Sequence, residues 1–439
     1  MLEKLRNIFQ VPELRRRILF TLSLFVVYRL GEKVTTPGVN SAAVEQLFQS
    51  MQNTLFGRFD MFVGGAFSQA TVFALGVMPY ISASIILQLL GAVVPYFERL
   101  RKEGEEGQKK ITQLTRYGTV IISIVQSYAY AIFLVNLGAS QGVQVVPDPG
   151  VGFYVSTILT QTAGAVFVMW LGEKITEFGI GNGISLIIFV NILGGVPNAV
   201  RQAITSWQGG QLDLATVVAV LAIMVAVIAA VIVMTQATRR IPVQYAKRMV
   251  GRKMYGGQST NIPLRVNTAG VIPIIFASSL MILPATVAGF FPPDSPMAVL
   301  TQWFNPLGWL YNILYAFIII FFTYFYTAVV LNPQELAGNL QKYSGFIPGI
   351  RPGRPTAEYI DRVLTRITLP GAVFLAAVAV LPDLIIAMFK VPALGFGGSS
   401  VLIVVGVALD TLQQIESHLL MRHYEGFVKR GRLRGRSRM

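Results

Sequence analysis

Few residues in this 439-residue chain could do covalent chemistry. Cysteine is absent, which removes disulfides and thiolate metal sites. The two histidines, His418 and His423, lie close together near the C-terminus and leave little for a histidine-based metal centre. No GxxxxGK[ST] stretch occurs, so nucleotide-driven work has to come from a partner. A pump or ion-coupled transporter buries ionisable groups near the bilayer midplane. Here the apolar runs between Ala74 and Leu331 contain none, and Asp383, Asp410 and Glu416 lie towards the ends of the last two runs. With no nucleophile–base pair or metal set inside these runs, neither enzyme activity nor a cofactor is expected.

The chemistry that remains is that of solvation. Val77, Ile81 and Ile85 recur every four residues and share one helix face. Such a stripe faces lipid or a neighbouring helix, or forms a hydrophobic constriction that gates by dewetting. Uncharged polar residues and prolines concentrate in the second, third and seventh runs: Pro79, Ser82, Ser84 and Gln88, then Gln126 and Ser127, then Pro273, Ser278, Ser279 and Pro284. They suit helix contacts that need not be permanent. Arg351 and Arg354 sit in IPGIRPGRP, where proline fixes φ and glycine permits sharp turns. They are expected on a shaped loop tip.

The elements that must position these residues are membrane helices. The composition is 53% hydrophobic and only 13% charged, against roughly 25% charged in soluble proteins. Ten runs are long enough to span: Ile18–Leu30 with its flanks, Ala74–Val94, Gly118–Leu137, Val151–Leu171, Asn182–Val200, Leu214–Thr235, Thr268–Phe291, Leu307–Leu331, Thr368–Phe389 and Gly398–Leu419. Arg29, inside the end of the first, is expected to snorkel to the interface. Of 36 Lys and Arg, 31 fall in the alternate segments that include both termini, and 4 in the other loops. The bias predicts cytoplasmic termini. The net charge of +15 fits that bias and also a basic face for an acidic or RNA-containing partner.

The expected organisation is an N-terminal half, 1–207, with spans one to five, and a C-terminal half, 208–420, with spans six to ten. The second half carries the large cytoplasmic loops 235–267 and 332–367, and a basic tail, 421–439, follows. Five spans per half force opposite insertion, which permits an inverted repeat.

Residues 61–97, MFVGGAFSQATVFALGVMPYISASIILQLLGAVVPYF, run for 37 residues without a charge. That exceeds the ~20 residues one span needs. Ala74–Val94 reads as the span. Met61–Phe73 is too polar and glycine-rich for lipid and is expected as a non-spanning segment with a protein-lined home. Gly64 and Gly65 weaken it.

GGAFSQATVFALGVMPYISASIILQLL (64–90), RKEGEEGQKKITQLTRYGT (101–119), EKITEFGIGNGISLIIF (173–189), RRIPVQYAKR (239–248), NTAGVIPIIFASSLMILPAT (267–286), GFIPGIRPGRPT (345–356) and FGGSSVLIVVG (396–406) resemble, in order, the SecY family of protein-conducting channels in its bacterial form. The resemblance implies an all-α polytopic membrane protein. It implies ten transmembrane helices in two inverted five-helix halves around a central hourglass pore, with a short plug helix, about 61–73, before span two.

It implies a pore ring at Val77, Ile81, Ile85, Ile188, Ile275 and Ile403. The plug residues would be Met61, Phe62, Val63, Gly64, Gly65, Ala66 and Phe67. A lateral gate between spans two/three and seven/eight would include Ser82, Gln126 and Leu283, the last where a bulkier aromatic is expected. Arg252, Lys253, Arg351 and Tyr424 would contact the motor ATPase SecA or the ribosome and its RNA. Other implied partners are the small membrane subunits SecE and SecG, signal sequences of preproteins, and lipid including anionic headgroups. The implied location is the bacterial inner (plasma) membrane. The rival from topology alone is an inverted-repeat secondary transporter of a small solute.

Overall fold

A computed structural model of the chain describes residues 11–49, 54–141, 143–210, 213–245, 248–250, 253–255, 259–288, 308–389 and 398–430. Each of the ten expected spans corresponds to a helix: α1 (Pro12–Gly31), α4 (Met78–Val93), α6 (Glu105–Gln141), α7 (Val151–Phe178), α8 (Gly183–Gln208), α9 (Leu214–Gln236), α10 (Ile272–Ala288), α11 (Trp309–Val330), α13 (Arg354–Phe389) and α14 (Gly398–Arg430). Seven of them, α6 to α9, α11, α13 and α14, are by themselves long and apolar enough to cross a membrane. The chain is a polytopic helical membrane protein. Four shorter helices complete the set among the described residues: α2 (Ser41–Gln49), α3 (Leu55–Val63), α5 (Pro95–Lys102) and α12 (Pro333–Lys342).

Two boundaries differ from the sequence reading. The short helix before span two is α3, at 55–63, not 61–73. It stops where Gly64 takes φ 76° as a left-handed cap, a conformation that a side chain disfavours. Residues 64–77 then run as turns, with Gly76 at φ 52°. Span two accordingly begins at Met78 instead of Ala74. Its 16 residues reach about 24 Å, short of a ~30 Å hydrocarbon core. Irregular backbone is tolerated at that depth only inside protein, and the turn segment meets this condition. Ala66, Phe67, Ala70, Thr71, Phe73 and Ala74 are all buried. At its other end α4 bends by 97° into α5. Pro95 explains the break, because it drives the preceding Val94 to an extended conformation (φ −97°, ψ 119°).

Arg29 also departs from expectation. It turns inward to form a 2.7 Å ion pair with the buried Glu32 and donates to the Val190 carbonyl of α8. Snorkelling is replaced by pairing.

The ten span helices share one contiguous apolar core. Within it α4 packs on α6 and α10, and α10 on α11. The loops 235–267 and 332–367 add a small sheet to the helical frame. β1 (Thr238–Tyr245) pairs antiparallel with β4 (Ser259–Arg265) and with β5 (Gly345–Phe346). β2 (Arg248–Val250) and β3 (Lys253–Tyr255) form a separate hairpin. Ile241 and Val243, two residues apart on β1, bury one face against Leu264, Leu340, Ile347, Ile360 and Leu364.

Candidate functional site

The aliphatic stripe survives the shortening of span two. The N–H of Ile81 donates to the carbonyl of Val77 at 3.1 Å, so Val77 keeps its place one turn before Ile81 although it only caps the helix. Val77, Ile81, Ile85, Ile188, Ile275 and Ile403 come from α4, α8, α10 and α14. All six are at most 5% exposed and belong to the same apolar cluster. Beyond them, towards the C-terminal end of α4, lies a cavity of about 470 Å³. Ile81 and Ile275 line its apolar part, and Ser84, Gln88, Arg116 and Glu173 its polar part. Arg116 and Glu173 pair through two hydrogen bonds of 2.8 and 2.9 Å, which ties α6 to α7 at the cavity wall.

At the other end of α4 sits α3 with its following turns. Val63 lies within 3.0 Å of where a side chain on Gly76 would begin, so the helix end abuts the residue before Val77. Phe67 is clasped by Phe59 and Tyr130, with ring centroids at 4.9 and 4.6 Å. Burial of one such ring contributes about 1.5–3 kcal/mol. The Tyr130 hydroxyl donates to the Phe67 carbonyl at 2.7 Å, and Asn191 donates to the Phe62 carbonyl at 3.0 Å. Phe62, Val63, Ala66 and Phe67 are buried, while Met61, Gly64 and Gly65 are half-buried. The segment also reaches α11, where Arg58 stacks over the Tyr311 ring at 5.3 Å.

Within the segment, Asp60 accepts from the Ser68 N–H at 2.8 Å and so braces the first turn after the glycines. Burial pushes its carboxyl up to about 6, against the opposing effect of that hydrogen bond.

Spans two and seven touch. The Ser279 hydroxyl meets the Met78 sulfur at 3.5 Å, and Ser278 hydrogen-bonds Tyr315 of α11 at 2.9 Å. Ser82 and Gln126 line one small cavity with Ser279, Phe59 and Phe67. Two of the three expected gate positions, Ser82 and Gln126, and the short helix therefore border a common space. Leu283 lies on α10. At the far end of the same seam, Arg101 of α5 donates to the Val329 carbonyl at 2.6 Å. That carbonyl belongs to the last turn of α11, where a cation offsets the helix dipole.

Of the loop arginines, Arg351 is exposed on the turn before α13, and its carbonyl accepts from the buried Thr356 hydroxyl at 2.8 Å. Gly349 (φ 81°) and Gly353 (φ 97°) bracket it. Arg354, three residues on, pairs with Glu358 at 3.1 Å. Lys253 lies on the β2–β3 hairpin and Tyr424 on the last helix, whereas Arg252 falls outside the described residues.

Sequence reasoning missed Asn191, Tyr130, Glu32 and Arg101. Asn191 had a signal, an amide in the middle of the otherwise apolar stretch 186–196. The others are recognisable only by partners far away in sequence.

The SecY family model matches residues 71–412. The chain belongs to the SecY family. Among its relatives it is 44% identical to the protein translocase subunit SecY of Aquifex aeolicus, covering 98% of this chain and all of that one. It is 48% identical to that of Streptomyces galbus, with the same coverage. The fold is similar to a solved protein-conducting channel at a TM-score of 0.65 and 18% identity, covering 92% of each chain. It is also similar to Sec61 in a canine ribosome–channel complex from the endoplasmic reticulum, at 0.62 and 16%, again covering 92% of each.

Proposed function

We propose that the chain is the central subunit of a Sec protein-conducting channel, passing unfolded polypeptides across the membrane and releasing apolar segments sideways into lipid. The observation that carries the reading is the stacking along α4: polar cavity, six aliphatic side chains, then a docked helix held by aromatic rings. A ring of branched aliphatic groups can close around an extended chain without hydrogen-bonding it. It is therefore indifferent to sequence, and when empty it resists ions by dewetting. The α3 segment is the plug. Sideways release needs a separable seam, and the α4/α6 contact with α10 and α11 supplies one in which few polar atoms must re-pair on opening. A segment of about 20 apolar residues presented there enters lipid by its own transfer energy.

The basic loops are the docking face for the motor ATPase SecA or a translating ribosome, with Arg252, Lys253, Arg351 and Tyr424 as contacts. RNA phosphates would make ribosome binding salt-sensitive. SecE and SecG are the expected membrane partners, and preprotein signal sequences and anionic lipid the other ligands. The 31-to-4 distribution of basic residues supports cytoplasmic termini in a bacterial inner membrane, and five spans on each side of Trp207–Leu214 support two inverted halves.

The test is reconstitution of the chain with SecE and SecG in vesicles. ATP-dependent import of a signal-bearing preprotein on addition of SecA is expected. Absence of import, together with uptake of a small solute, would replace the channel by a transporter.

A further inference from the structure

The plug end of α3 rests on a buried polar seat built by two helices that are not its neighbours in sequence. The Asn191 side chain of α8 splits its amide N–H groups between the Tyr28 hydroxyl, at 2.8 Å, and the Phe62 carbonyl, at 3.0 Å. Because a carbonyl can only accept, the Phe62 contact fixes which way the amide points. Phe62 lies in the last turn of α3, where helix carbonyls lack internal partners, so Asn191 caps the plug helix from outside. The receiving groups are themselves held. Tyr28 is 1% and Asn191 1% exposed. Arg29 pairs with Glu32 and reaches the Val190 carbonyl, the residue preceding Asn191. Its guanidinium also occupies the space that a side chain on Gly194 would need.

The fit is close on the plug side too. A Cβ on Gly64 would sit 2.8 Å from Glu32 Oε1 and 3.1 Å from Asn191 Oδ1, on a backbone already at φ 76°. Only glycine lets the cap descend between these two oxygens. Asn191 lies three residues after Ile188 and therefore on nearly the same face of α8, one turn away.

We infer that Asn191, oriented by Tyr28 and by the Arg29–Glu32 pair, is a positioning residue that fixes the plug in its closed register. It holds the plug from the same helix that carries Ile188 of the waist. This rests on the plug reading above. A polypeptide that pushes Ile188 outward shifts the next turn of α8 and withdraws the amide from Phe62. Widening of the waist and release of the plug are then one motion.

The chain has no cysteine, so a closed-state reporter can be added cleanly. Phe56 and Phe133, whose ring centroids lie 4.7 Å apart, link α3 to α6, and a Phe56→Cys/Phe133→Cys pair bridged by a short bifunctional thiol-alkylating reagent such as a bis-maleimide reads plug docking. In the complex with SecE and SecG, Asn191→Asp keeps the side-chain shape but removes the donor. Gly64→Val attacks the same contact from the plug. Each is expected to raise resting ion leak in planar bilayers about tenfold, the worth of one buried hydrogen bond. Each should also lower the cross-link yield, at an unchanged melting temperature of the complex. Deletion of residues 55–70 is the reference. If deletion raises leak and neither substitution does, the seat has no positioning role. If leak rises only in proportion to a fall in melting temperature, Asn191 is merely structural and the inference fails. If deletion itself leaves the leak unchanged, the plug reading falls and the seat with it.

Discussion

Closure by the plug should depend on pH, and the sign follows from Asp60. Its ordinary carboxyl value is near 3.8, and burial pushes it up to about 6 in the docked segment, with Glu45 adding a small repulsion in the same direction. A displaced, hydrated plug restores the ordinary value. The docked form therefore binds the proton more tightly than the free form. Docking is strongest below about pH 4, weakens as pH rises through 6, and is level above it. Working the two titrations together, the docked-to-free ratio falls about tenfold between pH 5 and pH 7, roughly 1 kcal/mol.

Resting ion conductance of the reconstituted complex, recorded from pH 5 to 8 at constant ionic strength, measures that ratio. It should rise about tenfold and then flatten. Asp60→Asn retains an oxygen to accept the Ser68 N–H but cannot ionise, so its conductance should stay flat and low. A flat profile in the parent channel, or an unchanged slope in Asp60→Asn, would refute the assignment of the pH response to this carboxyl.

Other outcomes are equally definite. Arg351→Glu should reduce SecA-driven import several-fold in vesicles while folded yield stays at the parent level, and Arg354→Glu should do less because Arg354 already pairs with Glu358. Arg101→Met removes the donor to Val329 that crosses the gate seam. It should let preproteins with weakened signal sequences enter more readily, by about fivefold for a charge-assisted bond at an exposed site. Replacing Ile81, Ile188, Ile275 and Ile403 together by Gly should raise single-channel leak, and conductance equal to the parent's would exclude them from the seal.

The spans were legible because each must satisfy its own backbone and present an apolar surface to lipid, and both demands are local. Leu214–Gln236, with almost every residue apolar, could hardly be anything else. The boundary of the short helix before span two was less legible. Gly64 and Gly65 announced a weak helix, but that their positive φ ends one at Val63 depends on how Asn191 caps its last turn and Asp60 receives the next one. Arg29 illustrates the same limit. Alone it demands water, and only Glu32 together with the Val190 carbonyl, 161 residues away, lets it turn inward. The sheet was written in the alternation of IPVQY, yet one of the two strands that pair with β1, β5, lies in a distant loop.

That sheet has a mechanical consequence. β1 follows α9 directly and β4 leads into α10, while β5 lies between α12 and the start of α13. Pairing of β1 with both β4 and β5, over the shared core of Ile241, Val243 and Leu364, welds the connectors of four successive spans into one rigid grip. A load applied at the Arg351 tip is therefore not absorbed by a soft loop. It acts as torque on α9, α10, α11 and α13 as a block, with α4 and α6 left behind, and the seam at Ser279 and Met78 is where such a block would part from the rest.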